Sequence, residues 1–360
     1  MYAIELVRAM AERDRRDGYA LFTRGHWFDD AAANKPNWRI ERVDATSRPA
    51  RLAWEHVVLP ARLASLGIDV LHSTHHTLPV FGVRCARVVT IHDVTFFRMP
   101  ERYPAARRLY MQRLTQLAAR VADAIIVPSD AVRADVVREL RVPDAKVTTV
   151  YEAAGADYAP GDRAQAAAIA REYGIDGPYV LSVGSLEPGK NRARLIEAMA
   201  RLRDEGRGER LVIVGQKAWK YERDLALIDT LGMRDRVILP GYVKREHLPA
   251  LYRAAQAFAL PSLYEGFGLP VLEAMACGTP VLTSNISATA EVAGDAALLI
   301  DPLSVDAIAR ALRNMVADED LRADLSRRGI ERAARFSWRR AADETHAVYE
   351  RTVRERAARS

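Results

Sequence analysis

Two glutamates lie on either side of a glycine-rich turn in the segment Pro261-Ser262-Leu263-Tyr264-Glu265-Gly266-Phe267-Gly268-Leu269-Pro270-Val271-Leu272-Glu273. The apolar run at 257–260 before it predicts a short buried strand. Proline is tolerated in a first helical turn and Gly278 favours a C-terminal stop, so a helix is predicted over 269–277. The two carboxylates therefore flank a strand-to-helix turn, where they can accept hydrogen bonds from a ligand.

The turn itself has the composition of an anion-binding site. Gly266 and Gly268 let the backbone approach a ligand, and the helix start presents unpaired N–H groups that suit a phosphate. Glu273 lies about one turn inside the helix and can accept hydrogen bonds from sugar or ribose hydroxyls. These features favour a nucleotide-sugar site. The alternative is that Glu265 is a solvated loop residue and that Glu273 faces water.

Alternating apolar runs and amphipathic stretches predict repeated strand-helix units and parallel sheets. A linker with a short alanine-rich helix is predicted at 161–178, between an N-terminal domain at 1–160 and a C-terminal domain at 179–336. A terminal helix is predicted over 337–360. The predicted strands are 19–22, 70–72, 88–92, 124–127, 147–150, 179–183, 211–214, 237–239, 257–260, 280–283 and 298–300.

Composition narrows the class of protein. With 360 residues, two domains are expected, and 49% hydrophobic and 28% charged residues are typical of a soluble globular chain. No apolar run approaches the roughly 20 residues that a membrane helix needs. Cys85 and Cys277 are too few for a disulfide framework, which favours the cytoplasm.

The net charge of +6 is carried mostly by arginine. It can favour anionic nucleotide sugars, anionic lipid surfaces or nucleic acid, or it can reflect compositional bias alone. The sequence has no basic-aromatic alternation, so nucleic acid is not an expected partner. A helix predicted over 103–121 carries several arginines, and the favoured interpretation is that they form a solvated face of that helix. The alternative is that they make peripheral contact with the inner membrane surface. These arginines are Arg107, Arg108, Arg113 and Arg120.

The chain resembles the retaining glycosyltransferases of family 4. Glu265 and Glu273 match the Glu-x7-Glu signature of that family, and the other matching segments follow in the expected order over most of the chain. The resemblance implies an α/β, GT-B fold: two Rossmann-like domains with parallel sheets facing across a cleft, and a C-terminal helix that crosses back to the N-terminal domain. The other matching segments are 71–75, 91–93, 183–191, 211–215 and 240–243.

The start of the chain departs from the family pattern. Residues 1–11 predict an amphipathic helix, and family members resemble the chain from that helix onward but carry a strand and a glycine-rich turn before it. We therefore expect the first strand and its turn to be absent, as in a truncated product. The alternative is a variant whose sheet is complete without them.

The resemblance also implies residue roles on the donor side. Lys190 would contact the diphosphate, where a cation neutralises charge on the leaving nucleotide, and Glu265 would contact the transferred sugar. Ser185 and Gly189 stand where basic residues are common in the family, so one positive charge is absent or is supplied by Lys217. The remaining donor-binding residues are Glu273 for the ribose, Gly266, Phe267, Gly268 and Leu269 near the phosphates, Ser185 and Lys217, and Tyr242 and Val243 beside the nucleobase.

On the acceptor side, His92 resembles the histidine of the family that contacts the donor sugar and orients the acceptor. His72, His75 and Asp93 are expected to contact the acceptor. Metal binding by His72, His75 and His76 is the rejected alternative, because no carboxylate or cysteine clusters with them in the sequence. No metal and no cofactor are expected, since the nucleotide-diphosphate sugar is itself a substrate.

The function predicted from the sequence is transfer of a hexose, with mannose preferred, from a nucleotide-diphosphate sugar to a hydroxyl group. GDP-mannose or a UDP-hexose is the expected donor, and a glycan or polyprenyl-linked saccharide is the expected acceptor, in cell-envelope polysaccharide synthesis. Two alternatives remain from the sequence. One is a related GT-B enzyme such as an epimerase or phosphorylase, and the other is a catalytically silent nucleotide-sugar-binding subunit.

Overall fold

A computed structural model describes residues 1–13, 16–32, 35–218 and 220–358. The chain forms two compact units. The first unit contains residues 1–152 and the C-terminal segment from Ser337 onward, and the second contains Ala153–Phe336. The alanine-rich helix that the sequence predicts within 161–178 is present and belongs to the second unit.

The elements of the first unit alternate between strands and helices. Its strands are β1 (Tyr19–Thr23), β2 (Trp38–Arg42), β3 (Val70–Ser73), β4 (Ala86–Thr90), β5 (Ala124–Val127) and β6 (Val147–Thr149). Its helices, before the chain enters the second unit, are α1 (Tyr2–Arg13), α2 (Asp29–Ala32), α3 (Arg48–Ala53), α4 (Leu59–Ser65), α5 (Thr95–Arg98), α6 (Ala105–Val121) and α7 (Asp130–Leu140).

The second unit follows the same strand-helix alternation. Its strands are β7 (Tyr179–Val183), β8 (Arg210–Val214), β9 (Val237–Ile238), β10 (Ala257–Leu260), β11 (Val281–Ser284) and β12 (Leu298–Ile300). Its helices are α8 (Arg163–Glu172), α9 (Arg192–Asp204), α10 (Glu222–Thr230), α11 (Leu248–Ala254), α12 (Leu269–Ala276), α13 (Ser287–Ala293), α14 (Val305–Ala317) and α15 (Glu319–Ala333). The last helix, α16 (Trp338–Ala357), returns to the first unit.

In the first unit, β3, β4, β5 and β6 form a parallel sheet in that order, and β1 and β2 form a separate parallel pair. Buried side chains cover both faces of the four-stranded sheet: α6 and α7 contribute to one apolar cluster, and α16 contributes to the other. A parallel sheet covered by helices on both faces is the arrangement expected of a Rossmann-like domain.

The strand β2 is absent from the sequence-based prediction. Its residues Trp-Arg-Ile-Glu-Arg alternate between apolar and charged types, a period-two signal too short to separate from a loop. It is held by its parallel register with β1, where Tyr19 lies opposite Trp38 and the two rings stack with centroids 4.2 Å apart. The stacked pair buries the apolar side of an otherwise exposed strand.

The predicted helix over 103–121 begins two residues later than expected, at Ala105. Pro104 precedes it and disfavours helical dihedral angles for Tyr103, which is extended. The helix that carries Glu273 ends at Ala276, with Cys277 as its C-cap and Gly278 in the left-handed region, as the glycine stop predicts.

The order of strands in the second sheet is β12-β11-β10-β7-β8-β9, and every pair is parallel. The order runs outward from β7 in one direction and from β10 in the other, so these adjacent central strands form the point at which the topology reverses. Ligands of open parallel sheets bind beyond the carboxyl ends of strands at such a point. The loops after β7 and β10 are the two that contain Lys190 and Glu265.

The loops after β7 and β8 approach each other closely at two glycines. A Cβ atom on Gly215 would lie 1.9 Å from the carbonyl oxygen of Gly184, which is far inside van der Waals contact with backbone. Gly184 also has φ +130°, a conformation that side chains rarely adopt. The glycine at 215 therefore follows from the packing of the two loops, and the glycine at 184 follows from its backbone conformation.

Replacing Gly215 with alanine is expected to lower the free energy of unfolding by at least about 2 kcal/mol, because the backbone of the neighbouring loop must move. The measurement is the urea midpoint followed by circular dichroism. Gly208→Ala is the matched control, since nothing lies within 4 Å of a Cβ there. Equal midpoints for the two variants would contradict the packing argument.

Candidate functional site

The candidate site lies at the carboxyl ends of β7 and β10, where two loops are joined by backbone and side-chain hydrogen bonds. The Leu263 N–H donates to the Gly189 carbonyl at 2.9 Å. The Asn191 side-chain amide donates to the carbonyl of Pro261 at 2.9 Å and to that of Pro302 at 2.7 Å. Asn191 has φ +56°, a left-handed conformation that asparagine tolerates, and it is the N-cap residue of α9. These bonds fix the two loops side by side.

Lys190 and Glu265 meet between the two loops. The Lys190 Nζ donates to Glu265 Oε1 at 2.6 Å, and the exposed fractions of the two side chains are 17% and 12%. The same carboxylate oxygen accepts a hydrogen bond from Ser262 Oγ at 2.7 Å. The Glu265 backbone N–H donates to Ser287 Oγ, which in turn donates to the Glu265 carbonyl, both at 2.9 Å. The carboxylate predicted from the sequence is therefore an ordered member of an ion pair, rather than a solvated loop residue.

The turn between Glu265 and α12 has the geometry of a phosphate-binding helix start. Gly268 has φ +101° and precedes the first helical residue Leu269, and a Cβ on it would lie 3.1 Å from Thr289 Cγ2. The side chain of Phe267 is buried, with its ring 5.9 Å from that of Phe336. Within the first turn of α12, Pro270 has no N–H, and the N–H groups of Val271 and Leu272 donate to the Gly268 carbonyl at 2.9 and 3.2 Å. The N–H of Leu269 is therefore the group of this turn that can donate to an anion.

Glu273 lies on the buried side of α12 and is 7% exposed. The hydroxyl of Tyr252 donates to its Oε2 at 2.8 Å, and the hydroxyl of Tyr158 also bonds to this carboxylate. Burial raises the pKa of Glu273, and the two tyrosine hydrogen bonds oppose that rise. The side chain therefore does not face water, and the tyrosines hold it in one orientation.

The other donor-side candidates lie on neighbouring loops. Ser185 is half-buried after β7, and the Leu186 N–H donates to the Gln216 carbonyl, which places the loop of Lys217 beside it. Lys217 is exposed, with its ammonium 5.4 Å from the ring centre of Tyr221. Tyr242 is 82% exposed and Val243 is half-buried in the segment after β9.

In the first unit, His92 follows β4 with both ring nitrogens engaged. Its Nδ1 lies 3.4 Å from Glu152 Oε1, and its Nε2 lies 2.9 Å from the Thr74 carbonyl. Burial alone would lower the pKa of His92, but the hydrogen bond and attraction to Glu152 outweigh burial and raise it. The ring of His75 is 6.3 Å from that of His92, so these two candidates lie close together.

His72 and Asp93 make contacts within the first unit. Nδ1 of His72 bonds to the Tyr349 hydroxyl at 2.6 Å and Nε2 bonds to Thr90 Oγ1 at 2.7 Å. Burial lowers the pKa of His72 to about 3, so its ring is neutral at pH 7. Asp93 Oδ1 accepts the Thr95 N–H at 2.8 Å and so closes the turn into α5.

Sequence reasoning missed several residues that support the candidate site. Asn191 joins the two loops and Tyr252 holds Glu273 through contacts between distant elements, and such contacts leave no local pattern. Ser262 holds the carboxylate of Glu265, three residues later in the same loop. Asn191 adjoins Lys190 and precedes a helical run, so a capping signal marks it in the sequence. Within the ranges that the structure describes, no group of three or more histidine, cysteine, aspartate or glutamate side chains is placed to hold a metal ion. None of the described helices is both long and apolar enough to cross a membrane.

Known proteins match both halves of the chain. Glycosyltransferase family 4 matches residues 1–154, and glycosyl transferases group 1 matches residues 167–332. O-antigen chain mannosyltransferase B from Escherichia coli is 35% identical over 97% of this chain and 94% of that protein.

Two solved structures have the same fold at low sequence identity. Sucrose-phosphate synthase from Thermosynechococcus elongatus has a TM-score of 0.78 and 23% identity, covering 97% of this chain and 92% of its own. HepE from Anabaena in complex with UDP-glucose has a TM-score of 0.77 and 19% identity, covering 97% of this chain and 94% of its own. The α/β, GT-B fold predicted from the sequence is confirmed.

The raised pKa of Glu273 predicts a stability effect with a definite sign. Because the pKa is higher in the folded state than in the unfolded chain, this group favours folding most below the ordinary glutamate range, and the benefit is lost as pH rises through the raised value. Glu273→Gln should therefore be more stable than the wild type at about pH 7.5, and the difference should vanish near about pH 4. Urea unfolding at the two pH values measures this.

Glu222→Gln is the control, because Glu222 is exposed on α10. Its stability relative to the wild type should change little between the two pH values. A Glu273→Gln variant that is less stable than the wild type at neutral pH would contradict the burial argument.

Proposed function

The chain belongs to glycosyltransferase family 4, and on that premise we propose that it is a retaining hexosyltransferase that uses a nucleotide-diphosphate sugar. The acceptor in this proposal is a hydroxyl group of a glycan or a polyprenyl-linked saccharide, and the process is cell-envelope polysaccharide synthesis. The chain is a glycosyltransferase by family. Its donor, stereochemistry and acceptor are the parts that we propose.

The observation that carries the proposal is the Lys190–Glu265 ion pair at the topological switch point of the second unit. A diphosphate brings negative charge to the ammonium, so Lys190 can exchange the carboxylate for a phosphate oxygen. The N–H of Leu269, at the start of α12, would bind the same diphosphate. These groups would stabilise the negative charge that develops on the leaving nucleotide, which lowers the barrier to its departure.

Glu273 would bind the donor nucleotide through its ribose hydroxyls. Tyr252 holds one carboxylate oxygen at 2.8 Å, and the burial of the carboxylate makes each further hydrogen bond to it stronger than in water. Glu265 would contact the transferred sugar near its reacting carbon. The two glutamates thus take different roles because one is paired with a cation and the other with neutral hydroxyls.

In the proposed reaction, departure of the diphosphate gives oxocarbenium character to the anomeric carbon. The acceptor hydroxyl attacks from the face that the diphosphate leaves, which retains the configuration. A leaving phosphate oxygen takes the acceptor proton, and Lys190 stabilises the remaining negative charge. His92 and His75 in the first unit are the proposed sugar and acceptor contacts.

The preferred donor is GDP-mannose. The support is the likeness to O-antigen chain mannosyltransferase B, while the fold is shared with HepE, whose structure contains UDP-glucose, so a UDP-hexose is the competing donor. A polyprenyl-linked acceptor would bring the protein to the inner membrane surface, where exposed Arg107 and Arg113 of α6 would favour anionic lipids.

Donor binding tests the proposal directly. Calorimetry with GDP-mannose, UDP-glucose and dTDP-glucose should show saturable binding of one nucleotide class by the wild type. Lys190→Ala should weaken it by about one to two orders of magnitude, because a charged hydrogen bond to phosphate is lost. Lys35→Ala, in the first unit, is the control and should bind as the wild type does.

Transfer should be abolished in Lys190→Ala and in Glu273→Ala while circular dichroism shows an intact fold. The assay follows nucleotide release from the bound donor class in the presence of a mannose-terminated glycan acceptor. Turnover like that of the wild type in either variant would contradict the site assignment.

A further inference from the structure

Arg192, the first residue of α9, is a buried arginine with few partners. It is 1% exposed, and it is among the largest fully buried side chains of the described residues. Its Nη2 donates to the Gly184 carbonyl at 3.3 Å, whereas Nε and Nη1 are buried without a hydrogen-bond partner. Burying a guanidinium with one weak hydrogen bond is costly, so its retention requires a compensating interaction.

Arg192 lies close to Lys190, where the loop after β7 enters α9. A Cβ atom on Gly184 would be 3.4 Å from Arg192 Nη2 and also 3.4 Å from Lys190 Cε. The two cationic side chains therefore flank one glycine at the end of β7. Lys190 bonds to Glu265 at 2.6 Å, whereas Arg192 is buried against the loop and donates to the Gly184 carbonyl.

The charges around Arg192 are mainly negative. Its guanidinium is attracted to the carboxylate of Glu265 first, then to those of Asp224 and Glu187. Burial lowers the pKa of Arg192 to about 10 against those attractions, which leaves the side chain protonated at pH 7. Asp224 is itself buried, and burial raises its pKa while Arg192 opposes the rise.

We propose that Arg192 is a positioning residue of the donor site, a buried counter-charge for Glu265 that frees Lys190 to bind the diphosphate. This inference rests on the proposed function. When Lys190 leaves Glu265 for a phosphate oxygen, the carboxylate loses its ion-pair partner, and the buried guanidinium keeps it stabilised. Arg192 also offsets the repulsion between the carboxylates and the diphosphate, although it does not touch the ligand.

This role accounts for the charge that Ser185 and Gly189 do not provide. Lys217 is the other source of charge that the sequence suggests, but its ammonium is exposed and lies over the ring of Tyr221. Solvent screens an exposed charge strongly, whereas a charge beneath the loop acts through protein of low polarisability. The missing charge is therefore assigned to Arg192.

The test compares ligands that differ in charge. Calorimetry on Arg192→Met and Arg192→Lys uses the nucleoside diphosphate that the wild type binds and the corresponding uncharged nucleoside. Arg192→Met should lower the affinity for the diphosphate about tenfold, because it removes a Coulomb attraction that acts over several ångströms. The affinity for the uncharged nucleoside should change little. Arg192→Lys keeps the charge and should recover most of the loss.

Asp224→Asn should change the affinity for the diphosphate in the opposite direction. Removing a carboxylate that neutralises Arg192 should raise diphosphate affinity by about two- to fivefold and leave nucleoside affinity unchanged. This variant and Arg192→Lys also decide the matter if Arg192→Met does not fold.

The outcomes separate the two proposals. If the wild type binds no nucleoside diphosphate, the proposed function and the role of Arg192 are both overturned. If the wild type binds it and the Arg192 variants bind equally well, only the role of Arg192 is overturned. Equal losses for nucleoside and diphosphate would assign Arg192 to packing alone and would also overturn the inference.

Discussion

The ion pair between Lys190 and Glu265 is the interaction on which the candidate site depends. It joins the loops that follow the two central strands, and it places a cation and a carboxylate where a parallel sheet binds its ligands. Both side chains are largely buried, so replacing the carboxylate by a phosphate exchanges one strong charge pair for another rather than for water. The site is therefore preorganised for anion binding.

The fold holds this pair in place through tight backbone packing. Gly215 allows the loops after β7 and β8 to approach more closely than any side chain would permit. Asn191 then ties the loop after β7 to the loop after β10, and within the second loop Ser262 holds the Glu265 carboxylate. Beneath them, strands β7 and β10 are buried along their whole length, so the site rests on a rigid base.

Much of this arrangement can be predicted from the sequence, and there is a physical reason why the rest cannot. The turn before Leu269, its glycines and the helix that follows obey local rules of dihedral angle and capping, so their prediction is accurate. Strand β2 is too short and too exposed for a periodic signal. The tyrosines on Glu273 and the burial of Arg192 depend on elements distant in the chain, and arginine is ordinarily exposed, so nothing local marks either feature.

A crystal structure of the protein with a bound nucleoside diphosphate would test the central claim most directly. The account predicts that the diphosphate lies against the first turn of α12, with Lys190 Nζ moved from Glu265 onto a phosphate oxygen and Glu265 still ordered above Arg192. A nucleotide bound elsewhere, or a Lys190–Glu265 pair that stays closed beside the bound diphosphate, would contradict it.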